Sequence, residues 1–225
     1  MLAIIPARGG SKGLLKKNIK LLNGIPLIAH SILQAYRSKY ISRIFVSTDC
    51  PEILKIAQNW CAECPSLRPQ ELATDTSIAI KTYQYLIQQF QLTENKSYES
   101  FVVLQPTSPL RRALDIDAAI TLFNTKDADS VISYSEDKKP LAWSKFLSSE
   151  GKFIHQEAQQ YVNNRQTFPT SYHPNGSIYV FKTDLIFRET YYGDNSYAYI
   201  MPTKYSVDID TLDDFLFAEY CLNKR

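Results

Sequence analysis

Leu2-Ala3-Ile4-Ile5-Pro6 is a short apolar run that passes directly into Ala7-Arg8-Gly9-Gly10-Ser11-Lys12-Gly13-Leu14-Leu15-Lys16-Lys17-Asn18. The run reads as a buried strand, and the three glycines behind it as a turn whose backbone can aim several N–H groups at one point. Arg8, Lys12, Lys16 and Lys17 surround that point with positive charge, so the stretch predicts a polyanion cradle at the end of the first strand. Two common phosphate loops do not fit. Gly13 is followed by Leu14 and Leu15 instead of the Lys-Ser or Lys-Thr of a Walker A loop, and the glycine spacing departs from the dinucleotide fingerprint.

Outward from the loop, strand and helix signals alternate. Asn23-Gly24-Ile25-Pro26 is a turn, and Leu27 to Tyr36 has its apolar residues at helical spacing. Arg43 to Thr48 is a β-branched and apolar strand, stopped by Asp49-Cys50-Pro51, with Pro51 placed to open a helix that runs through Trp60. The order strand, helix, strand, helix predicts an α/β fold with a mostly parallel sheet covered on both faces. The segment from Arg68 to Ser77 lacks any period and reads as a structured loop leading into a helix from Ile78 to Phe90. Phe101 to Leu104 is a buried central strand whose polar tail, Gln105 to Arg111, should face the same crevice as the opening loop. A helix from Asp115 to Phe123 and a strand from Ser130 to Tyr134 follow.

The rhythm then breaks. From 136 to about 173 the chain is polar and interrupted by Pro140 and Pro169, with a hairpin-like piece around Ser148 to Lys152. A structureless loop of that length is unexpected inside a compact domain, so the segment reads as an excursion that packs on something else, a second subunit being one candidate and a mobile insertion the other. Regular structure resumes with a strand from Ser177 to Phe181, a short helix from Asp184 to Arg188, a strand from Tyr197 to Met201 and a final helix through Leu222. Before that helix, Val207-Asp208-Ile209-Asp210 reads as a strand with Ile209 turned inward and both carboxylates outward. Two carboxylates on one face, with no cation near them in sequence, form a hard-metal site suited to Mg²⁺. Asp213 and Asp214 belong to the first helical turn, where Asp214 can close a capping box with Thr211.

The 225 residues are 44% apolar and 21% charged with a net charge of +2, ordinary for one globular domain and too weakly basic to argue for nucleic acid. No apolar run approaches membrane-spanning length, and Met1 to Pro6 shows neither a basic leader nor a cleavage site, so a cytoplasmic protein without a membrane partner is expected. Cys50, Cys61, Cys64 and Cys221 are too scattered for a disulfide framework, and Cys61-Ala62-Glu63-Cys64 has no second pair with which to hold zinc.

Five motifs together resemble the acylneuraminate cytidylyltransferases, the CMP-sialic acid synthetases and their legionaminic and pseudaminic acid relatives. They are Ala7 to Gly13 with Lys17-Asn18, Arg68-Pro69 with Leu72-Ala73 and Asp75, Leu104 to Arg111, His173 to Tyr179, and Asp208-Ile209-Asp210. The resemblance spans nearly the whole chain and implies a single doubly wound, Rossmann-like domain of the nucleotide-diphospho-sugar transferase type. It implies transfer of CMP from CTP to the anomeric hydroxyl of a nine-carbon 2-keto sugar acid, with Mg²⁺, in a homodimer formed through the excursion. It further implies that Arg8 and Lys12 hold the triphosphate and that Lys17 stabilises charge on the α-phosphate. Asn18 and the loop from Arg68 to Ser77 would surround the cytidine. Gln105 would contact the sugar acid, Arg165 would reach its carboxylate, and Asp208 and Asp210 would hold the metal. His173 would be either a sugar-acid contact or a packed residue at a strand entry. The alternatives are a cytidylyltransferase for the eight-carbon acid Kdo and a catalytically silent nucleotide-binding protein.

Overall fold

The computed structural model describes residues 1–11, 13–154 and 164–224. Its strands are β1 (Leu2–Pro6), β2 (Leu21–Leu22), β3 (Ile25–Pro26), β4 (Arg43–Ser47), β5 (Ser100–Leu104), β6 (Ser130–Glu136), β7 (Phe146–Leu147), β8 (Phe153–Ile154), β9 (Tyr172–Lys182) and β10 (Ser196–Ile200). The helices are α1 (Leu27–Arg37), α2 (Pro51–Asn59), α3 (Ala79–Glu94), α4 (Ala113–Lys126), α5 (Thr183–Phe187) and α6 (Leu212–Asn223). Each predicted element has its counterpart within a few residues, except the strand at Val207 to Asp210.

Among the described residues, the main sheet has the order β10-β6-β9-β5-β1-β4. β1 is parallel to β4 and β5, and β10 to β6, whereas β9 is antiparallel to both its neighbours. The reversal has a simple cause. The chain leaves the sheet at the end of β6 and returns from the excursion at that same end, so β9 must run back against its neighbours. The pairs Glu136–Tyr172 and Ser135–His173 show that the sheet incorporates both ends of the expected excursion. Its middle contains the expected hairpin, β7 with β8, closed by the Ser148 N–H on the Lys152 carbonyl at 2.8 Å.

Alternate residues of the central strands feed two cores. Ala3, Ile5, Val46, Val102, Leu104 and Val180 pack with Ile28 and Ile32 of α1 and Ile116 and Ile120 of α4. Leu2, Ile4, Phe45, Phe101, Val103 and Phe181 pack on the other side with Ile80, Leu86 and Phe90 of α3 and Leu185 of α5. Burial on both faces explains why these strands read as unbroken apolar runs. A third cluster, Leu22, Leu27, Ile209, Phe215 and Ala218, seats α6 at the edge of the cleft.

Val207 to Asp210 is not a strand. It is an extended segment outside any ladder, held by the Ile209 N–H on the Thr107 carbonyl at 2.8 Å and by the full burial of the Ile209 side chain. The inward isoleucine and outward carboxylates survive because the third core takes Ile209. Among the described residues, no helix is long and apolar enough to cross a membrane.

Candidate active site

β1 has β4 on one side and β5 on the other, so the winding direction reverses there and a crevice opens beyond the carboxyl ends of β1 and β5. A cleft of about 420 Å³ occupies it, large enough for a nucleotide. Its walls come from the glycine loop, the loop from Arg68 to Ala79, the tail of β5 and Asp210.

The glycine loop is fixed by close approaches. The Gly9 N–H donates to Asp49 at 2.9 Å, and a β-carbon at Gly9 would lie 2.8 Å from that of Cys50. At Gly13 a β-carbon would lie 2.3 Å from the Asp210 carbonyl oxygen, so the loop rests directly on the carboxylate segment and only glycine fits there. Lys16 turns the chain in a left-handed conformation, with φ of 53°, and pairs at the surface with Glu52. Lys17 turns inward instead. Its ammonium donates to the Ile209 carbonyl and lies 2.9 Å from Asp210 Oδ1. The cation that the sequence did not place near the two carboxylates is therefore Lys17. Its side chain is 11% exposed while that of Asp210 is 77% exposed, which leaves Asp210 open to a second cation.

Asn18 is buried and donates through Nδ2 to the Arg8 carbonyl at 3.0 Å, while its Oδ1 has no protein partner. Arg8 lies 3.0 Å from Asp75, an ion pair that joins the glycine loop to the loop opposite. That second loop contains a short turn at Gln70–Leu72 and is anchored by Arg68, whose N–H donates to the Thr48 carbonyl at 2.7 Å. The buried Arg68 guanidinium reaches Thr82 at 3.3 Å and Asp49 at 3.9 Å, and its Nε has no protein partner. Burial pushes the Arg68 guanidinium below its ordinary range, opposed by the charge of Asp49. Ser77 stands half-buried on the cleft wall before α3, with its N–H on the Thr74 carbonyl.

Asp208 faces the tail of β5. A β-carbon on Gly176 would sit 3.1 Å from Asp208 Oδ2 and 3.5 Å from Gln105 Oε1, so glycine at 176 lets these two side chains share one corner. Burial pushes the Asp208 carboxyl above the usual aspartate range. A hydrogen bond from Thr107 and the charge of Lys17 oppose that shift, and the neighbouring Asp210 adds to it. Asp214 closes the capping box of α6 with Thr211 and also accepts from the Asp210 N–H at 3.1 Å, which fixes the backbone of the carboxylate pair. Hydrogen bonds from Thr211 hold its carboxyl below the usual range.

The cleft thus brings together Arg8, Lys17, Asn18, Arg68, Ser77, Gln105 and Asp210, with Asp208 adjoining it beside Gln105. His173 lies outside it. It is exposed on β9 and pairs with Asp137 at 2.7 Å, as a strand-entry residue would. Lys12 lies outside the described residues, and Arg165 is described only as part of the turn Arg165–Thr167. Sequence reasoning did not single out Thr107 or the partnership of Arg8 with Asp75, whose residue types carry no signal without the fold.

The fold and the cleft define an α/β protein with a polar crevice beyond its strand ends, where Arg8 pairs with Asp75 and Lys17 with Asp210. A cytidylyltransferase family model matches residues 2–219, and the chain belongs to that family. It is 37% identical over 227 residues to the CMP-N,N'-diacetyllegionaminic acid synthase of Legionella pneumophila, covering 97% of this chain and 94% of that one. It is 35% identical over 236 residues to the N-acylneuraminate cytidylyltransferase of Streptococcus agalactiae, covering 100% of this chain and 55% of that one. The chain therefore spans about half the length of several curated relatives that it matches. Among solved structures, a CMP:2-keto-3-deoxy-manno-octonic acid synthetase complexed with CTP superposes with a TM-score of 0.69 at 13% identity, over 99% of this chain and 98% of that one, a likeness of fold.

Proposed function

We propose that the chain transfers CMP from CTP to the anomeric hydroxyl of a nine-carbon 2-keto sugar acid. The sugar oxygen attacks the α-phosphorus, the bond to the β-phosphate breaks, pyrophosphate leaves and the hydroxyl proton passes to solvent. The observation that carries this is the convergence of the Lys17 ammonium with Asp210, and Asp208 beside it, at a cleft whose cationic glycine loop rests on the same carboxylate segment. Displacement at phosphorus needs charge neutralisation and alignment more than covalent help, and this arrangement supplies both.

Arg8 and Lys12 are assigned to the departing β- and γ-phosphates, and Lys17 to the charge that builds on the α-phosphate. The unpartnered Oδ1 of buried Asn18 suits a ribose hydroxyl, since a buried acceptor without a donor is costly until a ligand supplies one. The loop from Arg68 to Ser77 would enclose the base, Gln105 and Asp208 would face the sugar acid, and Arg165 would meet its carboxylate.

Asp208 and Asp210 fit Mg²⁺. Both are hard oxygen donors, and the Asp208 carboxyl, held above the usual aspartate range beside Asp210, would be relieved by a cation. No third carboxylate, histidine or cysteine joins them among the described residues, which suits a metal that takes its remaining ligands from triphosphate and water. Mg²⁺ would neutralise the phosphate charge and acidify the attacking hydroxyl.

A cytoplasmic homodimer is part of the same proposal. Supporting it, the excursion and the start of β9 expose Leu141, Trp143, Phe146, Leu147, Phe153, Ile154 and Tyr172, more apolar surface than one hairpin presents to water without a partner. A second copy of this chain is the proposed partner.

The substrate class is tested by incubating the protein with CTP, Mg²⁺ and each of neuraminic, legionaminic, pseudaminic and Kdo acids, then weighing the products. A CMP-sugar from a nine-carbon acid is expected. Product from Kdo alone would replace the proposed acceptor by the eight-carbon acid.

A further inference from the structure

β5 and β9 pair in regular antiparallel register from Ser100–Lys182 to Leu104–Ile178, and there the ladder stops. The next position would pair Gln105 with Ser177. Instead the fully buried guanidinium of Arg111 enters between the strands. Its Nη1 donates to the Ser177 carbonyl at 2.7 Å and to the Gln105 carbonyl at 3.2 Å, and its Nη2 donates to Ser31 Oγ at 2.5 Å. The Ser31 hydroxyl donates in turn to the same Gln105 carbonyl at 3.1 Å, and the Ser108 N–H reaches it at 3.4 Å.

On the other flank of β9 the ladder with β6 also breaks, with a register shift between Ile132 and Tyr134. Buried Asn175 occupies that break. Its Oδ1 accepts from Ser133 Oγ at 2.6 Å and from the Ser177 N–H at 3.1 Å, and its Nδ2 donates to Ser135 and Ser206 at 3.2 and 3.0 Å. Both backbone groups of Ser177 are thus taken by side chains, one on each side. Gly176 lies between the two plugs at a φ of 75°, and it is the residue against which Asp208 and Gln105 are packed.

We propose that Arg111 is a positioning residue of the acceptor side of the cleft, acting with Asn175. It replaces the next ladder hydrogen bonds between β5 and β9, parts the two strand ends, and thereby sets the corner in which Gln105 and Asp208 meet the sugar acid. Several features distinguish it from an ordinary packed residue. A buried guanidinium costs far more than an apolar side chain of equal volume, and burial pushes this one down to about 9, still above neutral pH, so it remains a charged donor. Its contacts go to backbone carbonyls and a serine, not to a balancing carboxylate at hydrogen-bond distance. An apolar side chain would fill the space but would not hold two carbonyls apart. Arg111 Nε, Ser108 Oγ and Ser177 Oγ are buried without protein partners around the same point, as expected where polar groups serve geometry at the expense of stability. Among the described residues, no hydrogen bond joins this network to the glycine loop or to the loop from Arg68 to Ser77.

This role presupposes the cytidylyl transfer proposed above. Arg111→Lys keeps one cation but loses the planar fork that reaches both strands and Ser31. Two measurements are made on wild type, Arg111→Lys and Asn175→Ser. First, steady-state kinetics should show the KM for the sugar acid raised about tenfold or more, a typical loss when supporting contacts go, with the KM for CTP changed less than about threefold. Second, amide exchange in the CTP-bound protein should speed up over 104–107 and 175–178 and stay unchanged over 2–6 and 43–47. Equal rises in both KM values, or a lower Tm with wild-type kinetics, would reduce Arg111 to a structural residue. Unchanged exchange at both strand ends would overturn the proposal whatever the kinetics. If wild type transfers CMP to none of the four acids, the proposed function falls, and exchange alone decides whether Arg111 parts the strands.

Discussion

Lys17 Nζ and Asp210 Oδ1 lie 2.9 Å apart although 193 residues separate them, and the Ile209 carbonyl accepts from the same ammonium. The glycine loop and the carboxylate segment therefore form one structural unit, with Gly13 seated on the Asp210 carbonyl. A cation held by one carboxylate oxygen is oriented without being consumed, and Asp210 keeps most of its surface open.

Lys17→Met should lower kcat by about 10²–10³, the usual consequence of removing one fixed donor from a site of developing charge. Methionine fills the same channel, so the fold should persist, and the KM for CTP should change less than kcat. Stopped-flow pyrophosphate detection with circular dichroism on the same samples checks both points.

Gly13→Ala and Gly10→Ala form a matched pair. At Gly13 the added carbon would strike the Asp210 carbonyl, whereas at Gly10 nothing lies within 4 Å. The first should reduce kcat/KM for CTP by about a hundredfold, about 2.7 kcal/mol of transition-state stabilisation. The second should stay within about twofold of wild type. Equal effects would show that the contact with Asp210 does not order the loop.

Asp208→Asn should abolish Mg²⁺-dependent turnover yet raise the Tm of the ligand-free protein at neutral pH. Burial holds the folded Asp208 carboxyl above its unfolded value, so the folded protein binds that proton more tightly than the unfolded chain does. The group then favours folding at pH below its unfolded value, and that contribution is lost as pH rises through its raised folded value. The gain from asparagine should accordingly shrink as the pH is lowered. Calorimetric scans of both proteins across acid to neutral pH check the sign, and a lower Tm for Asp208→Asn at neutral pH would refute it.

Phe146→Glu combined with Phe153→Glu places charge on two exposed rings of the hairpin. The double variant should shift the protein from dimer to monomer by light scattering. Wild-type protein that is monomeric at micromolar concentration would remove the second subunit from the account.

Much of this was legible in sequence because local patterns were strong. The strand into Gly9-Gly10, the tail beginning at Gln105 and the inward Ile209 between two carboxylates each have a distinct local signature. The direction of β9 was not, since a strand buried on both faces has the same apolar composition whichever way it runs. Val207 to Asp210 showed the alternation of a strand, but the burial of Ile209 beside Phe215 produces that alternation without a ladder. The pairing of Lys17 with Asp210 and the insertion of Arg111 between β5 and β9 are contacts across the fold, which no window of sequence contains.

CTP and a sugar acid are proposed to react together in the cleft beside Lys17 and the Asp208–Asp210 pair. Pyrophosphate release measured with CTP, Mg²⁺ and a nine-carbon sugar acid, each omitted in turn, tests it most directly. Release should occur only when all three are present and should fall sharply when UTP or ATP replaces CTP. Release from CTP and Mg²⁺ without the sugar acid, or equal release from the three nucleotides, would contradict it.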